Sequence, residues 1–418
     1  MPELTHQIAI WAIVALALAG VILRPFRLPE AVWAVAGAAL VAVLGLLPLN
    51  EAARALGQSV DVCLFLAGMM LLAETARREG LFDWIAAAAV NRAGGSSARL
   101  FAMTWLVGVV VTVFLSNDAT AVVLTPAVFA AARAAKTPAA PFLLACAFVA
   151  NAASFVLPIL NPANLVVFAS RPPALAAWVV RFALPSALSI LAAFAALRWL
   201  ERGALGGGCA SHIDQPRLST GGRWALAGVG LAAGVLMTVS ALGKPIGAPT
   251  FAVGAVTAAA VLLRARAAPW PLLRGMTWSI LPLTAGLFVL VQALEGTGVI
   301  GVLASRLQAA MSTRGAGAVA SGLAALVSNL ANNLPVGLMA SHTLAQAHAG
   351  PLVHDAVLIG VDLGPNLSVT GSLATILWLA AIRREGEAIG FWRFAKLGAV
   401  VMPASLIPTL AARLLLGG

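Results

Sequence analysis

Side chains able to exchange hydrogen bonds with a small solute fall in short clusters along an otherwise apolar chain. Ser116-Asn117-Asp118 sits between two apolar segments, each near the lower length limit for a membrane span. Asn151 and Ser154 lead through Pro158 to Asn161-Pro162-Ala163-Asn164. Later, Ser328-Asn329 precedes Asn332-Asn333-Leu334-Pro335, and Asp362-Leu363-Gly364-Pro365-Asn366 leads to Thr370-Gly371-Ser372 and Thr375. Amides and hydroxyls both donate and accept, which suits reversible binding of a polar solute. A carboxylate at bilayer depth is costly when charged, so Asp118 and Asp362 are candidate proton carriers. The prolines and glycines interrupt helical hydrogen bonding. Interrupted backbone at that depth is tolerated only where protein buries it or water reaches it. Ser, Thr and Asn also join helices in membranes, at about 0.6 kcal/mol per bond, but that role does not require helices broken at matching places. The expected substrate-binding set is therefore Ser116, Asn117, Asn151, Asn161, Asn164, Ser328, Asn329, Asn332, Asn333, Asn366, Thr370, Ser372 and Thr375. Glu74 and Glu295, close to helix ends, read as interfacial.

The elements that must position these residues are membrane helices. The chain has 418 residues, 61% hydrophobic and 10% charged, with a mean hydropathy of +0.97. That composition excludes an ordinary soluble enzyme and a disordered chain. Apolar blocks of roughly 17–25 residues mark spanning helices rather than barrel strands. The first block, His6 to Leu23, runs into Arg24-Pro25 without a small-residue cleavage site and reads as a retained helix. The net charge of +11 comes from single or paired basic residues between the blocks, the pattern of positive-inside topology rather than of a nucleic-acid surface. Cys63, Cys146 and Cys209 form no CxxC, the five histidines are scattered, and no P-loop, HExxH or Ser-His-Asp pattern occurs. We therefore expect a transporter, not an enzyme, with no metal and no cofactor.

The chain reads as a duplication. Phe65–Met70 matches Leu283–Phe288, Leu115–Asp118 matches Val327–Leu330, and Asn151–Asn164 matches Asp362–Thr375, at offsets of 218, 212 and 211. The polar, Gly- and Ser-rich stretch 201–223 separates the halves. The expected architecture is all-α and polytopic. Residues 1–200 form a first repeat, with a re-entrant hairpin near 99–135 and a broken helix near 139–169. Residues 224–418 form a second, with a hairpin near 315–345 and a broken helix near 353–382. Each has about five transmembrane helices plus its hairpin, and the second is inverted relative to the first. With both termini outside and the linker cytoplasmic, 19 of the 26 Lys and Arg fall inside; the others are Arg54, Arg171, Arg181, Lys244, Arg306, Arg314 and Arg413. The stretches 82–93 and 298–309 are amphipathic and read as lying along the membrane interface.

Ser116-Asn117-Asp118 with Leu124-Thr125-Pro126 resembles the first-half signature of the ArsB-type arsenite permeases of the ion transporter superfamily. Asn332-Asn333-Leu334-Pro335 resembles their second hairpin, and Asp362-Leu363-Gly364-Pro365 followed by Gly371–Trp378 resembles their most specific stretch. The resemblance spans essentially the whole chain. It implies a bacterial inner-membrane antiporter that expels arsenite and antimonite in exchange for protons, with two hairpins and two unwound helices around a central site. It also implies a soluble ATPase on the cytoplasmic face as a partner of some members. Two positions depart from the pattern: Asn366 stands where members often carry lysine, and Asn161-Pro162-Ala163-Asn164 where they often carry Ser-Asn.

Arsenite near neutral pH is mainly a neutral trihydroxide, which the expected amides and hydroxyls suit. Clustered thiolates would hold trivalent arsenic too tightly for release, and the chain has none. A sodium/proton antiporter using Asp118 with neighbouring oxygens is the alternative, as is the membrane subunit of an ATPase-coupled arsenite pump. An organic-anion carrier would want Arg or Lys near the midplane, and the polar motifs contain neither.

Overall fold

The computed structural model describes residues 2–168, 173–312, 315–387 and 389–416. Arg171 and Arg314, counted above as outer basic residues, lie outside them. The described residues are helical, with only an isolated bridge between Ser96 and Gly208. Among the described residues seven helices are long and apolar enough to cross a membrane, or eight if one bent pair is a single span. The protein is an all-α, multi-pass membrane protein.

Residues 2–200 contain α1 (Pro2–Leu23), α2 (Glu30–Val43), α3 (Leu49–Arg78), α4 (Leu81–Ala93), α5 (Ser97–Phe114), α6 (Thr125–Ala134), α7 (Ala140–Ala152), α8 (Pro162–Val167) and α9 (Leu175–Leu200). Residues 220–416 run through α10 (Thr220–Ala241), α11 (Gly247–Ala265), α12 (Ile280–Gly296), α13 (Val299–Ala310), α14 (Ala316–Ala331), α15 (Asn333–Gln346), α16 (Pro351–Leu363), α17 (Leu373–Arg384) and α18 (Phe391–Leu416). The order and character of the elements match from half to half. Long helices come first, then a short helix after a left-handed glycine (Gly80, φ 74°; Gly298, φ 79°), a hairpin, a helix that breaks, and a closing helix.

Packing matches as well. α2 packs on α12 as α11 packs on α3, α5 on α7 as α14 on α16, and α9 lies along α18. Glycine permits the closest crossings: a Cβ on Gly68 of α3 would sit 2.6 Å from backbone atoms of Thr250 and Phe251, and one on Gly286 of α12 would sit 2.9 Å from the backbone of Ala34. Small residues at such crossings let membrane helices gain van der Waals contact where burial alone gives little drive.

The two stretches expected at the membrane interface are helices that behave differently. α13 buries only Ile300 and Ala304, whereas α4 buries eight of its thirteen residues against α5 and α6. Covering α4 is the segment 201–223, which is not a free linker. Asn91 and Ile213 exchange two hydrogen bonds of 3.1 and 2.8 Å, Ala210 donates to Ala135, Cys209 donates to Gly95, and Ser219 Oγ bonds Glu79 at 2.8 Å. The segment ties together the end of α3, α4 and the base of the first hairpin.

Candidate functional site

Both helix breaks are built from local capping chemistry. α7 ends at Ala152, and the chain stays non-helical until Asn161 caps α8 by accepting from the Ala163 amide at 3.1 Å. The freed carbonyls of this stretch find partners: Asn164 Nδ2 donates to Ser154 O at 2.8 Å, Trp178 Nε1 to Phe155 O at 3.1 Å, and Ser189 Oγ to Ala152 O at 2.9 Å. α16 ends at Leu363, passes through a single 3-10 turn at Gly364–Asn366, and resumes as α17 after Ser372, which accepts from the Thr375 amide at 3.1 Å. Side chains thus satisfy backbone groups that a continuous helix would have paired.

The hairpin tips are caps of the same kind. Ser116 accepts from the Ala119 amide at 3.1 Å, and Asn332, in the left-handed region at φ 70°, accepts from the Leu334 amide at 3.3 Å. Each tip is sewn to a break by one backbone bond, Asn117 N to Leu160 O at 3.2 Å and Asn333 N to Gly371 O at 2.8 Å. The second tip is held further: Asn329 donates to Gly364 O at 3.0 Å and accepts from Ser368 at 2.8 Å, Thr370 donates to Asn329 O at 3.0 Å, and Asn332 donates to Thr370 O at 3.4 Å.

Across the middle the halves exchange partners. Asn151 of α7 donates to Asn366 Oδ1 at 3.1 Å and Thr375 Oγ1 at 3.4 Å and accepts from Ser372 at 3.3 Å. Asp362 of α16 is fully buried between Ser154 Oγ at 2.7 Å and Asn161 Nδ2, which donates to it at 2.8 Å. Thus the helical segment that leads into each half's break also holds the other half's break.

Two adjacent cavities, sharing Leu66, Asp118, Pro162 and Ile280 in their walls, lie beside this network. The central one, about 20 Å³, has room for about one water and is lined by Asn117, Asp118, Asn161, Asn333 and Ser372, with Thr284 and Leu66 as the α12 and α3 walls. The wide one, about 580 Å³, runs from Ser116, Asp118 and Pro162 past Met69, Met70 and Met276 to Arg77, Arg274 and Arg384. Asp118 lines both, and its carboxylate has no hydrogen-bond partner among the described residues. α15 and α17 begin at the central cavity, so the positive ends of their helix dipoles lie at it.

Of the residues expected to bind substrate, Asn117, Asn161, Asn333 and Ser372 meet at the central cavity, and Ser116 lines the wide one. Asn151, Asn366 and Thr375 form the buried network behind it, while Asn164, Asn329, Asn332 and Thr370 hold the breaks and the second tip. Ser328 spends its hydroxyl on Ala324 O at 2.7 Å, within α14. Asp362 lines neither cavity. Thr284 was missed from sequence. Its position in the Leu283-Thr284-Ala285-Gly286 match, opposite Leu66 in the first half, was the available signal. Among the described residues no group of three or more His, Cys, Asp or Glu could hold a metal ion.

A family model described as citrate transporter matches residues 11–361. The chain belongs to the citrate transporter family. Members of it are membrane transporters, which places this chain among the transporters of the ion transporter superfamily. An uncharacterized transporter of Mycobacterium tuberculosis is 28% identical over 367 residues, covering 83% of this chain and 84% of that one. The arsenical pump membrane protein of Escherichia coli K12 is 28% identical over 361 residues, covering 80% and 81%. The YdaH transporter of Alcanivorax borkumensis, whose structure has an unusual topology, superposes with a TM-score of 0.57 at 13% identity, covering 88% of this chain and 87% of that one. That likeness extends to the fold.

Proposed function

We propose that the protein expels arsenite, and antimonite with it, from the bacterial cytoplasm in exchange for protons. The observation that carries this reading is the central cavity. Amides, hydroxyls and helix N-termini line it, and Asp118 is the sole ionisable residue among its lining groups. The central cavity as it stands has room for about one water, so a neutral trihydroxide would meet this lining from the adjoining wide cavity, gaining hydrogen bonds without needing a counter-charge. Asp118, open to the wide cavity and with no side-chain bonding partner among the described residues, is the proton carrier. One inward proton supplies about 2.3 kcal/mol per 100 mV, against about 1.4 kcal/mol for a tenfold solute gradient, so one proton per arsenite is sufficient.

In this reading residues 1–200 and 224–418 are inverted repeats, joined by the cytoplasmic segment 201–223, with both termini outside an inner membrane. Arg77, Arg274 and Arg384 then mark the cytoplasmic mouth of the wide cavity, so the structure is open inward. The matching order of elements, the matched packing of α2 on α12 and α11 on α3, and the similarity to arsenical pump membrane proteins support it.

The test is proton movement in everted vesicles on adding arsenite, antimonite, sodium or citrate, for wild type and Asp118→Asn. Alkalinisation of an acidified lumen by arsenite or antimonite, lost in the variant, supports the proposal. A response to sodium alone overturns it. The family's description favours a second reading, a citrate-like anion, although Glu74, Asp83 and Glu385 stand among the three arginines at the mouth and Arg77 is paired with Glu74; a citrate response without an arsenite response would establish that reading instead. Arsenite uptake that requires added ATP and a soluble fraction would assign the energy source to a cytoplasmic ATPase partner.

A further inference from the structure

α16 carries two fully buried aspartates seven positions apart, and their surroundings differ in kind. Asp355 meets cations: Arg413 donates to its Oδ2 from Nε at 2.8 Å and from Nη2 at 2.6 Å, and Arg181 lies 3.7 Å from Oδ1. Among the described residues Asp362 bonds only Ser154 and Asn161, and no cation is bonded to it. A charge buried without a partner ion is expensive enough that the group neutralises instead.

The hydrogen-bond count at Ser154 points the same way. Its Oγ lies 2.7 Å from Asp362 Oδ2 and 2.8 Å from Asn151 O, and a hydroxyl has one proton to give. If Ser154 donated to the carboxylate, the short contact with Asn151 O would oppose two oxygen lone pairs. If Ser154 donates to Asn151 O, the bond to Asp362 needs a proton on Oδ2. Only a protonated Asp362 satisfies every contact: Oδ2–H donates to Ser154 Oγ, Ser154 donates to Asn151 O, and Oδ1 accepts from Asn161.

We propose that Asp362 is a permanently protonated carboxylic acid that positions the first helix break through Ser154 and Asn161. It stores one proton as structure and does not exchange it during turnover. The proton that moves is then carried by Asp118, the part of the inference that rests on the proton-coupled reading above. Asp362 is a positioning residue: it holds Asn161, whose side chain lines the central cavity, and touches no substrate itself.

The experiment is infrared difference spectroscopy of the full-length protein in lipid, wild type against Asp362→Asn, at neutral and at alkaline pH. The expected result is a protonated-carboxyl C=O band present in wild type at both pH values and missing from Asp362→Asn. Asparagine reproduces the acid's pattern, one donor toward Ser154 and one acceptor toward Asn161. So Asp362→Asn should recover most of the transport that Asp362→Leu loses, while keeping the wild-type pH profile. The inference is overturned if no such band is assigned to Asp362, if the band vanishes at alkaline pH with the loss of activity, or if Asp362→Asn is as inactive as Asp362→Leu. The infrared arm needs no substrate, so its failure is distinct from a failure of the arsenite reading.

Discussion

The two hairpins are made from like parts yet stand in different surroundings. The first, α5 and α6, presents Asp118, its carboxylate unbonded among the described residues, to a wide cavity, and Ala130 on its outer arm is exposed there. The second, α14 and α15, is closed in. Asn329 and Asn332 lock its tip to the second break, and along α15 His342 lies 3.2 Å from Glu295 of α12, which also accepts from Gln292 and Gln346. α15 packs on α12, while the corresponding space between α6 and α3 is the cavity. A carrier that must be open to one side at a time shows this asymmetry when one hairpin is withdrawn from its long helix and the other is seated on its own. The lesson is that matched sequence motifs set the same local caps in both halves, and the state of the molecule is written in what those caps face.

Four measurements would break or sharpen that comparison. The largest effect is expected at the open tip: Asp118→Asn should reduce arsenite-driven proton movement to background in everted vesicles, and Asn333→Asp at the closed tip should not restore it in the double variant. Next is accessibility. In a background with Cys63, Cys146 and Cys209 replaced by serine, Ala130→Cys should react readily with a membrane-impermeant maleimide applied from the cytoplasmic face. Leu338→Cys in α15, buried in the structure, should be protected. Equal labelling of both would remove the asymmetry. Smaller effects belong to the central cavity, where each of Asn117→Ala, Asn333→Ala and Thr284→Val should raise the half-saturating arsenite concentration by about two- to tenfold, the value of one hydrogen bond at about 0.5–1.5 kcal/mol. A change in maximal rate with unchanged half-saturation would place them outside the site. The smallest is Glu295→Gln. Its pair with His342 is about one-third exposed on either side, so its loss should cost at most about 1 kcal/mol and shift the melting temperature only slightly.

Much of the site was legible because membranes make polarity conspicuous. Asn117, Asp118, Asn161, Asn333 and Ser372 stand out against apolar neighbours, and all five line one cavity. Thr284 did not stand out, since a lone threonine in a spanning helix can return its hydroxyl to the helix, as this one does to Ile280 O at 2.8 Å. Nor could sequence sort the broader set. Asn151 and Asn164 are the same residue type on the same broken segment, yet one bonds across to the second half and the other supports local carbonyls. The segment 201–223 carries the composition of a loose linker, and only the docked structure shows Asn91 gripping Ile213 by both backbone groups.

The amino-acid sequence by itself determined that this is a helical membrane protein, where its helices break, and which polar residues cluster at the breaks. Those properties are local: a proline removes a donor wherever it stands, and a run of apolar side chains partitions into lipid wherever it lies. Only the tertiary structure decided that Asp118 faces an open cavity while Asp362 is sealed between Ser154 and Asn161. Two aspartates in similar polar motifs carry no mark of their solvent or their partners. Those come from residues about two hundred positions away, brought close by the packing of one half against the other.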